Sequence, residues 1–359
     1  MKNIKIIVAM SGGVDSSVAA FLLKKNGYYI EGAYMKNWED SSYCSSNIDL
    51  LFVKNVCNEL GIKLHILNFS KEYWNKVFIN FLKNYKLGRT PNPDILCNKY
   101  IKFKIFLDYS LEKLNANFIA TGHYACINFF INQFLKKSFD RKKDQSYFLY
   151  ALNKDKLKYI LFPLANYLKS TVRNIAKENN FINFNRKDST GLCFIENDDF
   201  YTFLKKYLGN NHGAILDNNN KIVGTHNGLI HHTIGQRKRL LLNIKNKKSP
   251  SLWYVHKKEI NRNELIIVQG KNNILFFSKK IKIYNLNYIT TMSLGKFICT
   301  AKIRYMQKEI LCIVYIYQYN SNAIVYFHDS QKAVTIGQSI VFYKNDLCIG
   351  GGIVKSIFY

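Results

Sequence analysis

Residues 11–16 read Ser-Gly-Gly-Val-Asp-Ser and follow, after Ala9 and Met10, on the apolar run Ile-Lys-Ile-Ile-Val at 4–8. Two adjacent glycines can take positive φ and let backbone N–H groups converge on one point. A helix opening there adds the equivalent of about half a positive charge. The stretch Ala9, Met10, Ser11, Gly12, Gly13, Val14, Asp15, Ser16 is therefore expected to cradle an anion. Its spacing matches neither GxxxxGK[ST] nor GxGxxG, so the expected ligand is the phosphate or pyrophosphate part of a nucleotide in another geometry. A serine-capped glycine turn would need only one of these polar residues.

Two further stretches carry sulfur. In GRTPNPDILCNKYIKF, residues 88–103, Pro91 and Pro93 are half of the four prolines and stiffen the loop around Asn92. Asp94 follows, and then Cys97, expected just before or within the first turn of the next helix, where the dipole favours a thiolate. In KDSTGLCFIEND, residues 187–198, Cys193 stands among Ser, Thr and Gly, outside any apolar periodicity. Taken alone, Cys193 suits packing as well as chemistry. The six remaining cysteines (44, 57, 126, 299, 312 and 348) form no CxxC pair or Cys/His cluster. Zinc, a single-segment iron–sulfur site and a secreted disulfide framework are therefore not expected.

These residues must be held by a scaffold, and a chain of 359 residues suggests two or three domains. Residues up to about 125 alternate apolar strand and amphipathic helix, with Gly27 stopping the first helix and Ile48, Phe52, Val56 and Leu60 striping the second. That pattern predicts an α/β fold: a doubly wound parallel sheet with its ligand in the crevice beyond the carboxyl ends of its strands. A hairpin over 125–139 follows, then helical patterns over 144–160 and 168–180. Beyond about 205 short period-2 runs take over, and the last 85 or so residues read as a small β-barrel. The division expected is an α/β domain over 1–204, a small central domain over 205–272 and a C-terminal β-barrel over 273–359.

The net charge of +28 points to a polyanionic partner, although a Lys-, Asn- and Ile-rich composition accounts for part of it. Arginine is the sharper witness. Only eight of the 52 basic residues are Arg, and Arg237, Arg239 and Arg304 are the ones singled out. No apolar stretch reaches the ~18–20 residues of a membrane span, and no signal segment is evident, so a cytoplasmic protein with no membrane partner is expected.

Ser-Gly-Gly-Val-Asp-Ser after a first strand resembles the signature of the PP-loop ATP pyrophosphatases. Together with YMKNW, GRTPNPDILCNKYIKF, IATGHYA, KDQSYFLY, DSTGLCFI, HHTIGQRK, IRY and GQSIVFY, the chain resembles, nearly end to end, the tRNA-specific 2-thiouridylase family. The resemblance implies a tRNA-uridine 2-sulfurtransferase that uses ATP to adenylate O2 of the wobble uridine and then replaces it with sulfur. It implies an ATP site of residues 9–16 with Met35 and Gly122, and Mg²⁺ accompanying the pyrophosphate. It casts Cys193 as the persulfide carrier, Cys97 as the nucleophile that attacks C2 or assists sulfur release, and Asp94 as their acid/base partner. A disulfide between Cys97 and Cys193 during turnover is implied in the same way. Asn92, Pro93 and Asp94 would surround the target base, and His123, Lys143, Asp144, Gln145, Arg304, Tyr305 and Gln338 would be further tRNA contacts. The implied partners are tRNAs reading Lys, Glu and Gln codons and a persulfide donor such as a cysteine desulfurase or sulfur-relay protein. The chain departs from the family pattern at Glu196 and Asn197, at Arg239, and at Ile336 in place of a proline. Glu196 adds negative charge three residues from Cys193, which leaves the identity of the donor open. The alternative reading is a PP-loop ligase acting on a small molecule, which has no use for two loop cysteines or a basic surface.

Overall fold

The computed structural model describes residues 4–39, 46–128, 133–188, 200–237, 240–242, 252–290, 295–317 and 321–358. Cys193, Glu196, Asn197 and Arg239 lie outside the described residues.

The chain opens with β1 (Lys5–Met10), α1 (Val14–Lys25), β2 (Tyr29–Lys36), α2 (Ser46–Glu59) and β3 (Leu64–Asn68). Later strands are β4 (Phe118–Ala120), the hairpin β5 (Cys126–Asn128) and β6 (Phe134–Lys136), and β7 (Ile160–Leu161). Five of them form a parallel sheet in the order β3-β2-β1-β4-β7. Side chains of β1 alternate between two cores. Ile6, Val8 and Met10 enter one, and Ile7 and Ala9 enter the other. Both faces of the sheet are therefore covered, which is why β1 reads as a continuous apolar run. The expected doubly wound sheet is the one observed.

Local details depart from the expectation in ways that matter for the site. α1 ends as predicted, with Gly27 at φ +79° and the Tyr28 N–H on the Leu23 carbonyl at 3.2 Å. In α2 the buried face is Val53, Val56, Cys57 and Leu60, while Ile48 is 56% exposed. A strict i,i+4 stripe advances ~40° per step on a helix of 3.6 residues per turn, so Ile48 has rotated away from Leu60. The region predicted as one helix over 144–160 breaks into a short helix Ser146–Leu149, a 3-10 segment Lys154–Tyr159 and edge strand β7. Asn153 is the cause: its side chain accepts from the Asp155 N–H at 2.9 Å and restarts the chain in a new direction.

The most consequential departure is at Cys97. Helical structure begins at Pro93 and runs through to Glu112, with wider i→i+5 turns over Cys97–Phe106. Asn92 caps this helix, accepting from the N–H groups of Asp94 at 3.1 Å and Ile95 at 3.4 Å. Cys97 is thus the fifth helical residue and only 3% exposed. The expected help from the helix dipole falls off within the first turn, so it acts on Asp94 and not on this thiol.

Beyond 205, β8 (Gly213–Leu216), β9 (Ile222–His226), β10 (Leu241–Leu242), β11 (Trp253–Glu259) and β12 (Glu264–Gln269) form a second sheet in the order β10-β9-β8-β12-β11. The last six strands are β13 (Phe277–Tyr288), β14 (Lys296–Lys302), β15 (Ile310–Ile316), β16 (Ala323–Lys332), β17 (Ser339–Lys344) and β18 (Leu347–Phe358). They run in the order β13-β16-β15-β14-β17-β18 and close through β13–β18 pairing, giving the expected barrel. The β5–β6 hairpin joins the barrel's sheet, with Leu347 opposite Lys136. Tyr147 donates to the Ser339 carbonyl at 2.7 Å, and Asn287 donates to the carbonyls of Tyr150 and Leu152 at 2.8 and 3.0 Å. The barrel is therefore seated on the parallel-sheet domain through hydrogen bonds, that of Tyr147 buried and those of Asn287 partly so.

Candidate active site

The strand order reverses beside β1, so the crevice between the exits of β1 and β4 is the topological switch point, where ligands of such sheets bind. The 11–16 loop fills one side of it. Gly12 stands at φ +77°, and a Cβ there would lie 2.7 Å from the Asp49 carbonyl oxygen. The serines set the loop's shape. Ser16 Oγ accepts from the Ser11 N–H at 3.2 Å and donates to the Gly13 carbonyl at 2.9 Å, and Ser17 Oγ donates to the same carbonyl at 3.2 Å. Ala9, Met10 and Val14 are buried in the two cores beneath the loop, and Met35 stands half-buried at the carboxyl end of β2. Gly122 closes the other side. A Cβ on it would lie 2.7 Å from both the carbonyl carbon of Asp15 and the nitrogen of Ser16. Of the predicted nucleotide residues, Gly12, Gly13, Asp15, Ser16 and Gly122 thus meet around one crevice.

Sequence reading missed the residues that surround Asp15. Lys169 bonds both of its carboxylate oxygens at 2.7 Å, and Tyr124 donates to Oδ1 at 2.9 Å. Lys169 also contacts Asp188 at 2.8 Å, and Asp188 in turn pairs with Lys143 at 2.7 Å and Arg173 at 2.8 Å. Burial opposes the Asp188 charge, but hydrogen bonds from Lys143 and Lys169 outweigh it and hold the acid down at about 2. Burial and the neighbouring Asp15 push the Tyr124 phenol well above its ordinary range, so it remains a donor. On the far side, Asn183 and Arg186 donate to the Gly12 carbonyl at 2.9 and 3.2 Å, and Arg186 pairs with Asp49. Sequence reading reaches Lys143 only as a tRNA contact implied by the resemblance and Asp188 only as the acid in KDSTGLC, since the other members sit in ordinary helix and loop patterns.

The Asn92–Cys97 segment forms a second group. Burial raises the Asp94 carboxyl above its ordinary value, against the opposing charge of Lys102. His123 lies between Phe103 and Phe162, with ring centroids at 5.6 and 6.1 Å, and its Nδ1 meets Thr121 Oγ1 at 2.7 Å. Enclosure, with Lys102 nearby, pushes its pKa well below the ordinary value, so the imidazole is neutral at pH 7. The loop ahead is pinned by the barrel. The Thr90 N–H donates to the Ile336 carbonyl at 3.0 Å, and Gln338 donates to the Thr90 carbonyl at 2.9 Å.

Several predicted tRNA contacts are occupied within the chain. Asp144 is 3% exposed and accepts from Ser138 N–H at 3.1 Å and Ser146 Oγ at 2.8 Å. It therefore faces inward, because an acid at that depth needs internal donors. Pro93 is also buried. Gln145 accepts from the Tyr124 N–H at 2.9 Å, and Tyr305 packs on Phe148 at 4.5 Å and donates to the Lys143 carbonyl at 3.4 Å. Arg304 donates to the Ala333 carbonyl and lines a cavity of about 550 Å³ with Tyr254, Phe276 and Gln331, away from the crevice. Of the eight cysteines, Cys57, Cys97, Cys299, Cys312 and Cys348 are buried and Cys126 is half-buried.

A glycine-built anion cradle at the switch point of a parallel sheet, walled by Lys and Arg, defines a nucleotide-binding α/β protein of the PP-loop kind. Family models match in chain order: a tRNA methyl transferase HUP domain over residues 4–197, a tRNA methyl transferase PRC-barrel domain over 201–269 and an aminomethyltransferase beta-barrel domain over 278–354. Full-length relatives are named otherwise. The tRNA-specific 2-thiouridylase MnmA of Buchnera aphidicola subsp. Baizongia pistaciae is 48% identical over 360 residues, spanning 98% of this chain and 97% of that protein. The protein of the same name from Pseudoalteromonas translucida is 46% identical, spanning 99% of this chain and 98% of the relative. The chain belongs to the tRNA-specific 2-thiouridylase family. Among solved structures, the U34-tRNA thiolase NcsA from Methanococcus maripaludis overlaps 57% of this chain and 65% of its own, at 19% identity and a TM-score of 0.38, a likeness too distant to bear on the site.

Proposed function

We propose that the protein is a tRNA-uridine 2-sulfurtransferase: it adenylates O2 of the wobble uridine with ATP and replaces that oxygen with sulfur. The observation that carries this reading is membership, over the whole chain, of a family whose relatives are named for 2-thiolation. The crevice suits the chemistry. A carbonyl oxygen leaves poorly, so O2 first attacks the α-phosphorus and pyrophosphate departs, its charge met by the cradle N–H groups and the helix dipole. Asp15 and Asp188 are two carboxylates bridged by one ammonium, a donor set that with phosphate oxygens suits Mg²⁺. Bound there, the ion would offset charge on the departing pyrophosphate.

Cys193, carrying a persulfide, is the sulfur source in this reading: its terminal sulfur attacks C2 and the C2–O bond breaks with loss of AMP. The Cys97 thiolate then attacks Cys193 Sγ. The S–S bond cleaves, the thiocarbonyl is released and a Cys97–Cys193 disulfide forms, which a thiol reductant must reopen before the next turnover. Asp94, raised toward neutrality by burial, supplies or takes the proton at the base. Asn92, Pro93 and Asp94 flank the extruded uracil, while Lys143, Arg304 and Gln338 act beside or beneath the RNA. We assign the domains as 1–204, 205–272 and 273–359, the acceptors as tRNAs for Lys, Glu and Gln, and the donor as a cysteine desulfurase or sulfur-relay protein. The described residues contain no helix long and apolar enough to cross a membrane, and a cytoplasmic site of action accompanies the reading.

The test is mass spectrometry of tRNA nucleosides after incubation with Mg²⁺, ATP, cysteine and a cysteine desulfurase. Thio-modified uridine is expected with the wild-type chain and none with Cys97→Ser or Cys193→Ser. Undiminished product from Cys193→Ser would remove the persulfide role, and pyrophosphate release that ignores tRNA would favour a small-molecule ligase.

A further inference from the structure

Lys169 is bound to two acids that face the crevice, yet its own side chain is only 11% exposed, against 32% for Asp15 and 30% for Asp188. The three hydrogens of its ammonium are shared among Asp15 Oδ1, Asp15 Oδ2 and Asp188 Oδ1 at 2.7–2.8 Å. Its backbone is fixed, because the Lys169 N–H donates to Asp140 Oδ2 at 2.9 Å and the other oxygen of Asp140 accepts from the Lys142 N–H at 3.1 Å. Above that anchor, rotation about the bonds of the four-carbon stem is what can move the ammonium, which also lies 5.8 Å from the centre of the Tyr124 ring. Asp15 is the second residue of α1, so the ammonium sits one carboxylate away from the cradle. With Lys143 and Arg173 on Asp188, three cations face two acids, and the group carries one net positive charge.

We propose that Lys169 is a phosphate ligand of the nucleotide site, parked between Asp15 and Asp188 until a triphosphate arrives, and that it gives the site its preference for ATP over AMP. This rests on the ATP reading above. An incoming β,γ-phosphate brings more negative charge than either carboxylate, and a single rotation of the stem moves the ammonium from acid to phosphate. The two carboxylates are then left to a divalent cation, which restores their charge balance. A salt bridge that only held the fold would, on its loss, weaken both nucleotides through the loop they share.

The experiment is calorimetric titration of the full chain, without tRNA, by Mg·ATP and by AMP. Lys169→Met should weaken ATP by about ten- to a hundredfold, the worth of a charged hydrogen bond, and leave AMP unchanged. Lys169→Arg should recover most of the ATP preference. Equal losses for both nucleotides would make Lys169 structural only and overturn the proposal, as would an unchanged ATP affinity in Lys169→Met. Failure of the wild-type chain to bind ATP would instead overturn the function proposed above, and this assignment with it.

Discussion

Gly122→Ala isolates the closeness of the two crevice walls from every other property of the site. Gly122 is not left-handed, so an alanine there meets no backbone strain and its whole cost is contact. The new Cβ would lie 2.7 Å from the carbonyl carbon of Asp15 and the nitrogen of Ser16, where ordinary contact begins at 3.4 Å. Something must therefore give by the difference, 3.4 − 2.7 = 0.7 Å. The obstructing atoms are backbone in the first turn of α1, which cannot swing aside as a side chain can. Overpacking of this kind costs about 1–3 kcal/mol. The displacement exceeds the ~0.5 Å within which a site must hold its geometry, and errors near 1 Å cost on the order of a hundredfold in rate. We expect Gly122→Ala to lose 1–3 kcal/mol in guanidinium unfolding, about tenfold or more in ATP affinity by calorimetry, and a comparable factor in thiolation rate. Gly270→Ala is the control. Gly270 stands at φ +82° with nothing within 4 Å of a Cβ, so it should lose a similar 1–2 kcal/mol to backbone strain while leaving ATP affinity intact. Wild-type ATP affinity in Gly122→Ala, or equal losses in both variants, would refute the claim that this approach shapes the cradle.

Two further outcomes concern acids on opposite sides of their ordinary pKa. Glu31 is 3% exposed and accepts from Lys5 at 3.0 Å, His65 at 2.6 Å and Tyr29 at 2.9 Å. Burial works against it, but these partners hold it at about 2, below its ordinary 4.5. The folded chain thus favours the charged form, so the stability is fully present above pH 4.5 and is lost as pH falls toward 2, by at most about 3 kcal/mol. Denaturant unfolding at pH 7, 4 and 3 should show this acid loss in the wild-type chain and a flatter dependence in Glu31→Gln, and parallel curves would count against it. Asp94 has the opposite sign. Burial raises its pKa, so its charge costs stability as pH rises above 3.8, and Asp94→Asn should keep or raise the melting temperature at pH 7 while reducing thiolation at least a hundredfold. A variant that melts earlier at pH 7, or that thiolates normally, would contradict this account.

What sequence reading reached and what it missed divide along chain separation. The cradle was legible because six consecutive residues state it, and β1 was legible because burial on both faces leaves an unbroken apolar run. The residues that complete the site come from far along the chain. Tyr124 reaches Asp15 across 109 positions, Lys169 across 154, and Asn183 reaches Gly12 across 171. No local period marks such partners, because their side chains are fixed by where the sheet places them and not by their neighbours. The KDQ string at 143–145 shows the converse: the resemblance implies tRNA contacts at all three residues, yet Asp144 turns inward to Ser138 and Ser146 while the Lys143 side chain stays 42% exposed. Ile336 shows why a departure from the family pattern can leave geometry untouched. The residue is 37% exposed, and what it gives the loop at Thr90 is its carbonyl, which accepts from the Thr90 N–H beside the Gln338 side chain on the Thr90 carbonyl. Proline and isoleucine offer the same carbonyl, whereas the neighbouring Gly337, at φ +92° with a Cβ position 2.8 Å from the Arg89 side chain, permits no such exchange. At Ile336 and Gly337 the backbone carries the contact, so tolerance to substitution there follows φ and the space around Cβ, quantities a single sequence does not display.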